Sequence, residues 1–346
     1  MSKFDLVDTA IKNGKTVLGV GPMSKNTIKA VIDVANEDEI PMLLIPSRRQ
    51  VESIKFGGGY VDSTEHFVEY VRKNDKGGYI LIERDHGGPG QGKNPIDSWD
   101  KVDAMLSYRA DIESGFDILH LDISKLENPT HEDLLDYYNS CEAECKEAGK
   151  EVLYEVGIEL HGGTRTDIQE FTKLCEFIYE NLPKTKFVVA NVGFFVLDKK
   201  YGHCDSFLLG KLNFIAQSHG MYVKLHNMDY TYNTLQLECG IRSGHVSAIN
   251  IAPELGTFET KLKLRRLRES GKFPQAEDIV RYSVNSGKWW KWVPDQFNVP
   301  NQEERTRLCG HYMYTDSYFS PDELFDIQSS LKDLIRAKLR LCGWYP

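Results

Sequence analysis

The sequence predicts a single (β/α)8 TIM barrel. Three observations carry that expectation: eight short apolar runs rich in β-branched residues, helix-patterned segments between them, and polar residues gathered just after the runs. Strands that read as continuous apolar stretches, each followed by a helix, belong to parallel sheets covered on both faces. Eight such units suit a closed barrel, and a doubly wound open sheet with an appendage is the alternative.

In chain order the strands are Thr16 to Val20, Pro41 to Ile45, Tyr79 to Ile82, Ile118 to Ile123, Glu151 to Ile158, Phe187 to Val192, Met221 to Leu225 and Val246 to Ile251. Segments of helical period lie between them, among them NTIKAVIDVANEDE, STEHFVEYVRKN, SWDKVDAMLSYRADIESG, THEDLLDYYNSCEAECKEAG and DIQEFTKLCEFIYENL. Several open on a capping residue (Ser63, Ser98, Thr130, Thr166) and end near glycine. The barrel is expected over residues 1–285, with residues 286–346 as an extension packed on it. That extension opens on the aromatic GKWWKWVPDQFNVP and closes on the helix PDELFDIQSSLKDLIRAKLRL. Trp289, Trp290 and Trp292 read as packing or interface anchors, with stacking on a sugar as the competing use.

Composition removes several classes of function. The 346 residues carry a net charge of -9, and no basic block with interleaved aromatics stands out, so nucleic acid is not an expected partner. No apolar run reaches membrane-spanning length and the first residues show no secretory segment, so a cytoplasmic protein is expected. Seven cysteines (141, 145, 175, 204, 239, 309, 342) contain no C-x-x-C, against a disulfide framework or zinc knuckle; Cys141 and Cys145 read as helix surface and packing. GVGPMSKN lacks the spacing of either nucleotide motif and reads as a strand-to-helix turn.

Active sites of (β/α)8 barrels gather at the carboxyl ends of the strands. The richest such end is YILIERDHGGPGQG, where a buried strand leads into Asp85 and His86, a carboxylate for proton transfer beside an imidazole able to ligate a metal. The glycines after it offer room for a substrate to approach the backbone. Other strand ends bring Ser47, Arg48 and Arg49; Asp122, Ser124 and Lys125; Glu155 and Glu159; Asn191; His226, Asn227 and Asp229; and Asn250 and Glu254. Glu155 and Glu159 share a parity, as do Lys224 and His226, so each pair faces one side of its strand. His86, His226 and one glutamate form the natural metal-ligand set, suited to Zn2+ or another divalent ion polarising a carbonyl. The competing reading of each is a satisfied polar residue at a strand end. The candidate substrate contacts are Arg48, Arg49, Asp122, Lys125, Glu155, Asn191, Asp229 and Asn250. For the Arg pair a solvated loop is an equal alternative.

The runs LLIPSRRQVESIKFGGGYVDSTEHF, ERDHGGPG, YEVGIELHGG, KLHNMDYTY and INIAPELGTFETKLKLRRL, in that order from about Val17 to Arg268, resemble the class II tagatose-bisphosphate aldolase group. The likeness is to its non-catalytic-subunit branch and to related metal-dependent sugar epimerases. The resemblance implies that Asp85 handles protons, that His86 and His226 bind the metal, and that Glu159, beside Gly162 and Gly163, serves as ligand or second acid-base group. Two departures stand out. The sixth-strand histidine of the catalytic enzymes is replaced by glycine in Asn191-Val192-Gly193, and the glycine-rich phosphate loop after the seventh strand reads Asn227-Met228-Asp229-Tyr230. His203 lies many residues too late to be an expected replacement. The implied protein is a lyase or epimerase of carbohydrate metabolism acting on a sugar or sugar phosphate by aldol or enediolate chemistry. The alternatives are a non-catalytic partner of a catalytic aldolase subunit and a sugar-binding protein without chemistry; a homo-oligomer is expected from the resemblance alone.

Overall fold

The computed structural model describes residues 3–92, 100–157, 164–193, 196–197, 200–201, 204–231, 246–293, 299–314 and 319–345. Eight parallel strands close into a barrel: β1 (Val17–Val20), β2 (Met42–Leu44), β3 (Ile80–Gly87), β4 (Ile118–Asp122), β5 (Leu153–Gly157), β6 (Thr185–Ala190), β7 (Tyr222–Leu225) and β8 (Ala248–Ile251). The ring is completed where β8 pairs with β1, Val17 opposite Ala248 and Val20 opposite Ile251. That pairing decides for the barrel over the open sheet.

Helices α1 (Lys3–Lys12), α2 (Lys25–Asp38), α3 (Thr64–Asn74), α4 (Asp100–Ser114), α5 (His131–Ala148), α6 (Ile168–Asn181), α7 (Ser206–Ser218) and α8 (Pro253–Glu269) precede or follow the strands. Ser24, Ser63 and Thr130 cap α2, α3 and α5 through their side-chain oxygens. α6 departs from the sequence expectation. Its cap is Asp167, which accepts from Gln169 and Glu170, while Thr166 accepts the Asn191 N–H at 2.8 Å and ties the helix start to the end of β6. Ser98 lies outside the described residues.

Alternation along the strands sorts the barrel into layers. Leu18, Val20, Leu44, Ile82, Leu119, Val156 and Val188 face outward into the core beneath the helices. The opposite parity lines the interior. Its lowest layer is apolar, with Val17, Leu43, Leu81, Ile118, Phe187 and Ala248 packed against Val7 of α1, which closes that end. One step up, at residues 83, 120, 155 and 224, the interior turns to Glu, His, Glu and Lys. Another step reaches the mouth, with Asp85, Asp122 and His226.

Beyond α8 come α9 (Phe273–Asn285), α10 (Gln302–Cys309) and α11 (Pro321–Leu341). α11 lies along α2, where Arg336 pairs with Asp38 at 2.8 Å and Gln328 donates to the Asn26 carbonyl at 3.0 Å. Trp289 is buried with Val293, Leu308 and Cys309, stacked on Trp290, and donates its indole N–H to the Val284 carbonyl. It is a packing residue. The six described cysteines are free and buried, including Cys141 and Cys145 on the inner face of α5.

Candidate active site

β3 supplies the first two groups by an irregularity. Consecutive residues of a strand point to opposite faces, so Asp85 and His86 would not share a site in a regular strand. The pairing of β3 with β4 shifts between Arg84 and Gly87, and His86 takes a left-handed φ of 46°. A bulge of this kind re-aims a side chain, and here it turns both residues toward the mouth. Gly87 and Gly88 make it possible in a way the sequence reading did not anticipate: a Cβ on Gly88 would lie 2.4 Å from the Asp122 carbonyl, and one on Gly87 2.5 Å from the Tyr108 ring. Gly87 and Gly88 allow the close approach of β3 to β4.

Asp85, His120, Glu155 and His226 then converge, each offering a ligand atom within 4.8 Å of the others. The Glu155 Oε1 lies 2.9 Å from His226 Nε2 and 3.2 Å from His120 Nδ1. Asp85 Oδ1 is 3.9 Å from both of those ring nitrogens and, though buried, has no hydrogen-bond partner among the described residues. A tetrahedral divalent ion keeps its donors roughly 3.4 Å apart. The spacing, the imidazole-carboxylate chemistry and the orphaned Asp85 oxygen fit such an ion.

His86 borders this group without belonging to it. Its ring centroid is 5.5 Å from that of His120 and 5.3 Å from that of His226, and its Nε2 is 4.0 Å from Asp85 Oδ2. Its Nδ1 lies 2.7 Å from Asp122 Oδ2, which also accepts from Gln91 at 2.7 Å. A carboxylate on one ring nitrogen fixes the tautomer and aims the other nitrogen, the arrangement found behind metal-binding imidazoles. Burial works against the Asp122 charge, but the His86 hydrogen bond, the charges of His86 and His120 and the Ser124 hydrogen bond together outweigh it and hold the carboxyl well below its usual range. Asp85 behaves alike: burial would raise it, and the imidazoles of His86, His120 and His226 bring it down to about 2.

Beneath the cluster Lys224, fully buried, stands 2.6 Å from both Glu83 and Glu155. One ammonium between two carboxyls balances one charge. Burial and the neighbouring Glu155 push Glu83 up, whereas burial of Glu155 is overcome by Lys224 and His120, which push it down. Glu155 thus faces Lys224 below and the histidines above.

The remaining sequence candidates are placed differently. Arg48 is buried and bonded to Glu52 at 2.7 Å, Asp103 at 2.7 Å and the Gly88 carbonyl at 3.3 Å, so its guanidinium braces the loop after β2 against the turn after β3. Arg49 and Lys125 are exposed. Asn191 Oδ1 accepts from Gly193 N–H. Asp229 caps the start of α8. Asn250, beside Gly19 on the interior face, keeps both side-chain polar atoms buried without a partner among the described residues. Glu159 and His203 lie outside the described residues. Sequence reading missed His120, although its parity with Asp122 on the same strand already placed it inside the barrel.

No family model matches the chain, and no curated protein matches it. Solved structures do. A probable tagatose 6 phosphate kinase from Sinorhizobium meliloti superposes with a TM-score of 0.68 at 18% identity, over 93% of this chain and 88% of that one. A fructose-bisphosphate aldolase from Campylobacter jejuni gives 0.63 at 12%, over 99% and 95%. A putative fructose-1,6-biphosphate aldolase from Coccidioides immitis gives 0.58 at 13%, over 96% and 94%. At these identities the likeness establishes the shared barrel fold.

Proposed function

We propose that this chain is a divalent-metal-dependent carbohydrate enzyme, a lyase or epimerase that acts on a ketose by aldol cleavage or enediolate chemistry. The observation that carries the reading is the convergence of Asp85, His120, Glu155 and His226 at the carboxyl end of the barrel. Aldolase-titled proteins among the structural neighbours support the substrate class.

His120, His226 and Glu155, joined by Asp85 or by His86 through Nε2, would hold the ion. Bound there, a divalent metal supplies Lewis-acid polarisation of a carbonyl and its adjacent hydroxyl. The protein's own groups do the rest. Asp122 fixes the His86 ring, and Lys224 holds Glu155 in place and ionised. Asp85, kept as a carboxylate by its imidazole neighbours, takes the hydroxyl proton when a carbon-carbon bond breaks, or takes the carbon proton itself when the enediolate forms by deprotonation. Asn250 offers an amide N–H and a carbonyl to substrate hydroxyls. Cleavage with release gives an aldolase; return of the fragment or the proton gives an epimerase.

The second reading is a non-catalytic subunit that stabilises a separate aldolase. It draws on Gly193 at the sixth-strand position and on the loop Asn227 to Tyr230, which holds bulky side chains instead of glycines. A screen of ketoses and their phosphates with zinc, manganese or cobalt, run on wild type and on Asp85→Asn, separates the two. Turnover lost in the folded variant supports the enzyme; no turnover in either, with both variants equally able to sustain a catalytic partner, supports the subunit.

A further inference from the structure

In (β/α)8 barrels an anionic group of the substrate is commonly held by the loops after the seventh and eighth strands and by a helix N-terminus, where free backbone N–H groups and the helix dipole favour negative charge. In this chain that position is filled from within. Asp229 Oδ1 accepts from the Ala252 N–H at 3.0 Å and from the Glu254 N–H at 2.8 Å, at the start of α8. Glu254 Oε2 in turn accepts the Tyr230 N–H at 2.7 Å and lies 2.8 Å from Lys338 Nζ of α11. Asp229, Glu254 and Lys338 are all buried. Among the described residues, two carboxyls against one ammonium leave no surplus positive charge for an incoming anion.

The loop is shaped for this occupant. Asn227 and Tyr230 take left-handed φ values of 59° and 58°, conformations that cost glycine nothing and cost a residue with a Cβ more. Met228 and Asp229 between them are buried. A loop meant to present bare backbone to a ligand would not carry these side chains; the turn instead delivers Asp229 to the helix.

We propose that Asp229 is a specificity-determining residue that stands where a substrate phosphate would sit, so that the mouth takes a ketose whose end toward β7 and β8 is an uncharged hydroxyl-bearing group. The proposal rests on the reading of the mouth as a sugar site, but its first test needs no turnover. Inorganic phosphate is titrated into metal-free wild type, Asp229→Gly and Asp229→Asn, following heat of binding and melting temperature. Wild type and Asp229→Asn, which keeps an acceptor oxygen, should respond alike and weakly. Asp229→Gly should melt lower and recover saturably with phosphate, at an affinity tighter by about tenfold or more. Equal phosphate responses in wild type and Asp229→Gly would overturn the proposal. Should the glycine variant not fold, a wild-type crystal soaked in phosphate decides: phosphate on the Ala252 and Glu254 N–H groups overturns it, and the Asp229 carboxylate retained there supports it. With a substrate in hand, kcat/KM should favour the unphosphorylated end; absence of any turnover sinks the enzyme reading and leaves the phosphate result standing.

Discussion

His86 Nδ1 lies 2.7 Å from Asp122 Oδ2, a contact between neighbouring strands that regular alternation along β3 would forbid. The bulge that allows it gives His86 a fixed orientation, and Asp122 supplies it. Replacing Asp122 by Ala should therefore loosen a ring that faces the metal cluster. The expected result is a loss of about 10–100-fold in affinity for zinc or manganese, read by titration against a competing chelator. Unchanged affinity would take His86 out of the site.

The buried triad makes an asymmetric prediction. Burial and Glu155 push Glu83 up, while Lys224 and His120 push Glu155 down against its own burial, and both face Lys224. Glu83→Gln should cost no more than about 1 kcal/mol, whereas Glu155→Gln removes the carboxylate shared by Lys224 and the histidines and should cost about 3–5 kcal/mol. Urea unfolding in the presence of a chelator measures both. Equal costs, or the reverse order, would contradict the assignment.

Asn250 separates binding from stability. Its amide has no partner among the described residues, so Asn250→Ala should change unfolding free energy by less than about 1 kcal/mol. Turnover should nonetheless fall, mainly through kcat/KM. The Gly19→Ala change acts on the same spot from the other side, since its Cβ would sit 2.2 Å from Asn250 Oδ1, and should be clearly destabilising.

Stability should also carry a signature of Asp229. Burial and the neighbouring Glu254 raise it from 3.8 to about 7, against Lys338 and the Glu254 and Ala252 N–H groups. A raised carboxyl pKa means the folded chain binds more protons than the unfolded one between about pH 4 and 7, so this group's contribution is full below that window and declines through it. The slope has an upper limit of about 1.4 kcal/mol per pH unit. Asp229→Asn should flatten that part of the stability profile; an unaltered slope would show that Asp229 does not titrate there.

The barrel was legible because its strands are short apolar runs, and the observed spans fall within a few residues of those read from sequence, β3 excepted, which runs on to Gly87. Part of the cluster was legible for the same reason: strand position brought out Asp85 and His226, and parity brought out Glu155, though as a substrate contact, with His86 and Glu159 expected as the ligands beside His226. His120 was readable by the parity that gave Glu155, yet a histidine inside an apolar run looks like packing until its strand neighbours are known. The bulge at His86 was beyond reach, since it depends on pairing between β3 and β4. Arg48 misled because its partners, Glu52 and the distant Asp103, meet it only in the folded chain.

Elemental analysis of purified wild type, His226→Ala and His120→Ala tests the proposed divalent-ion site of His120, Glu155 and His226, with Asp85 or His86 as the further donor. About one zinc or similar divalent ion per chain is expected in wild type, and its loss in both variants. No bound metal in wild type, even after incubation with zinc, manganese or cobalt, would contradict it.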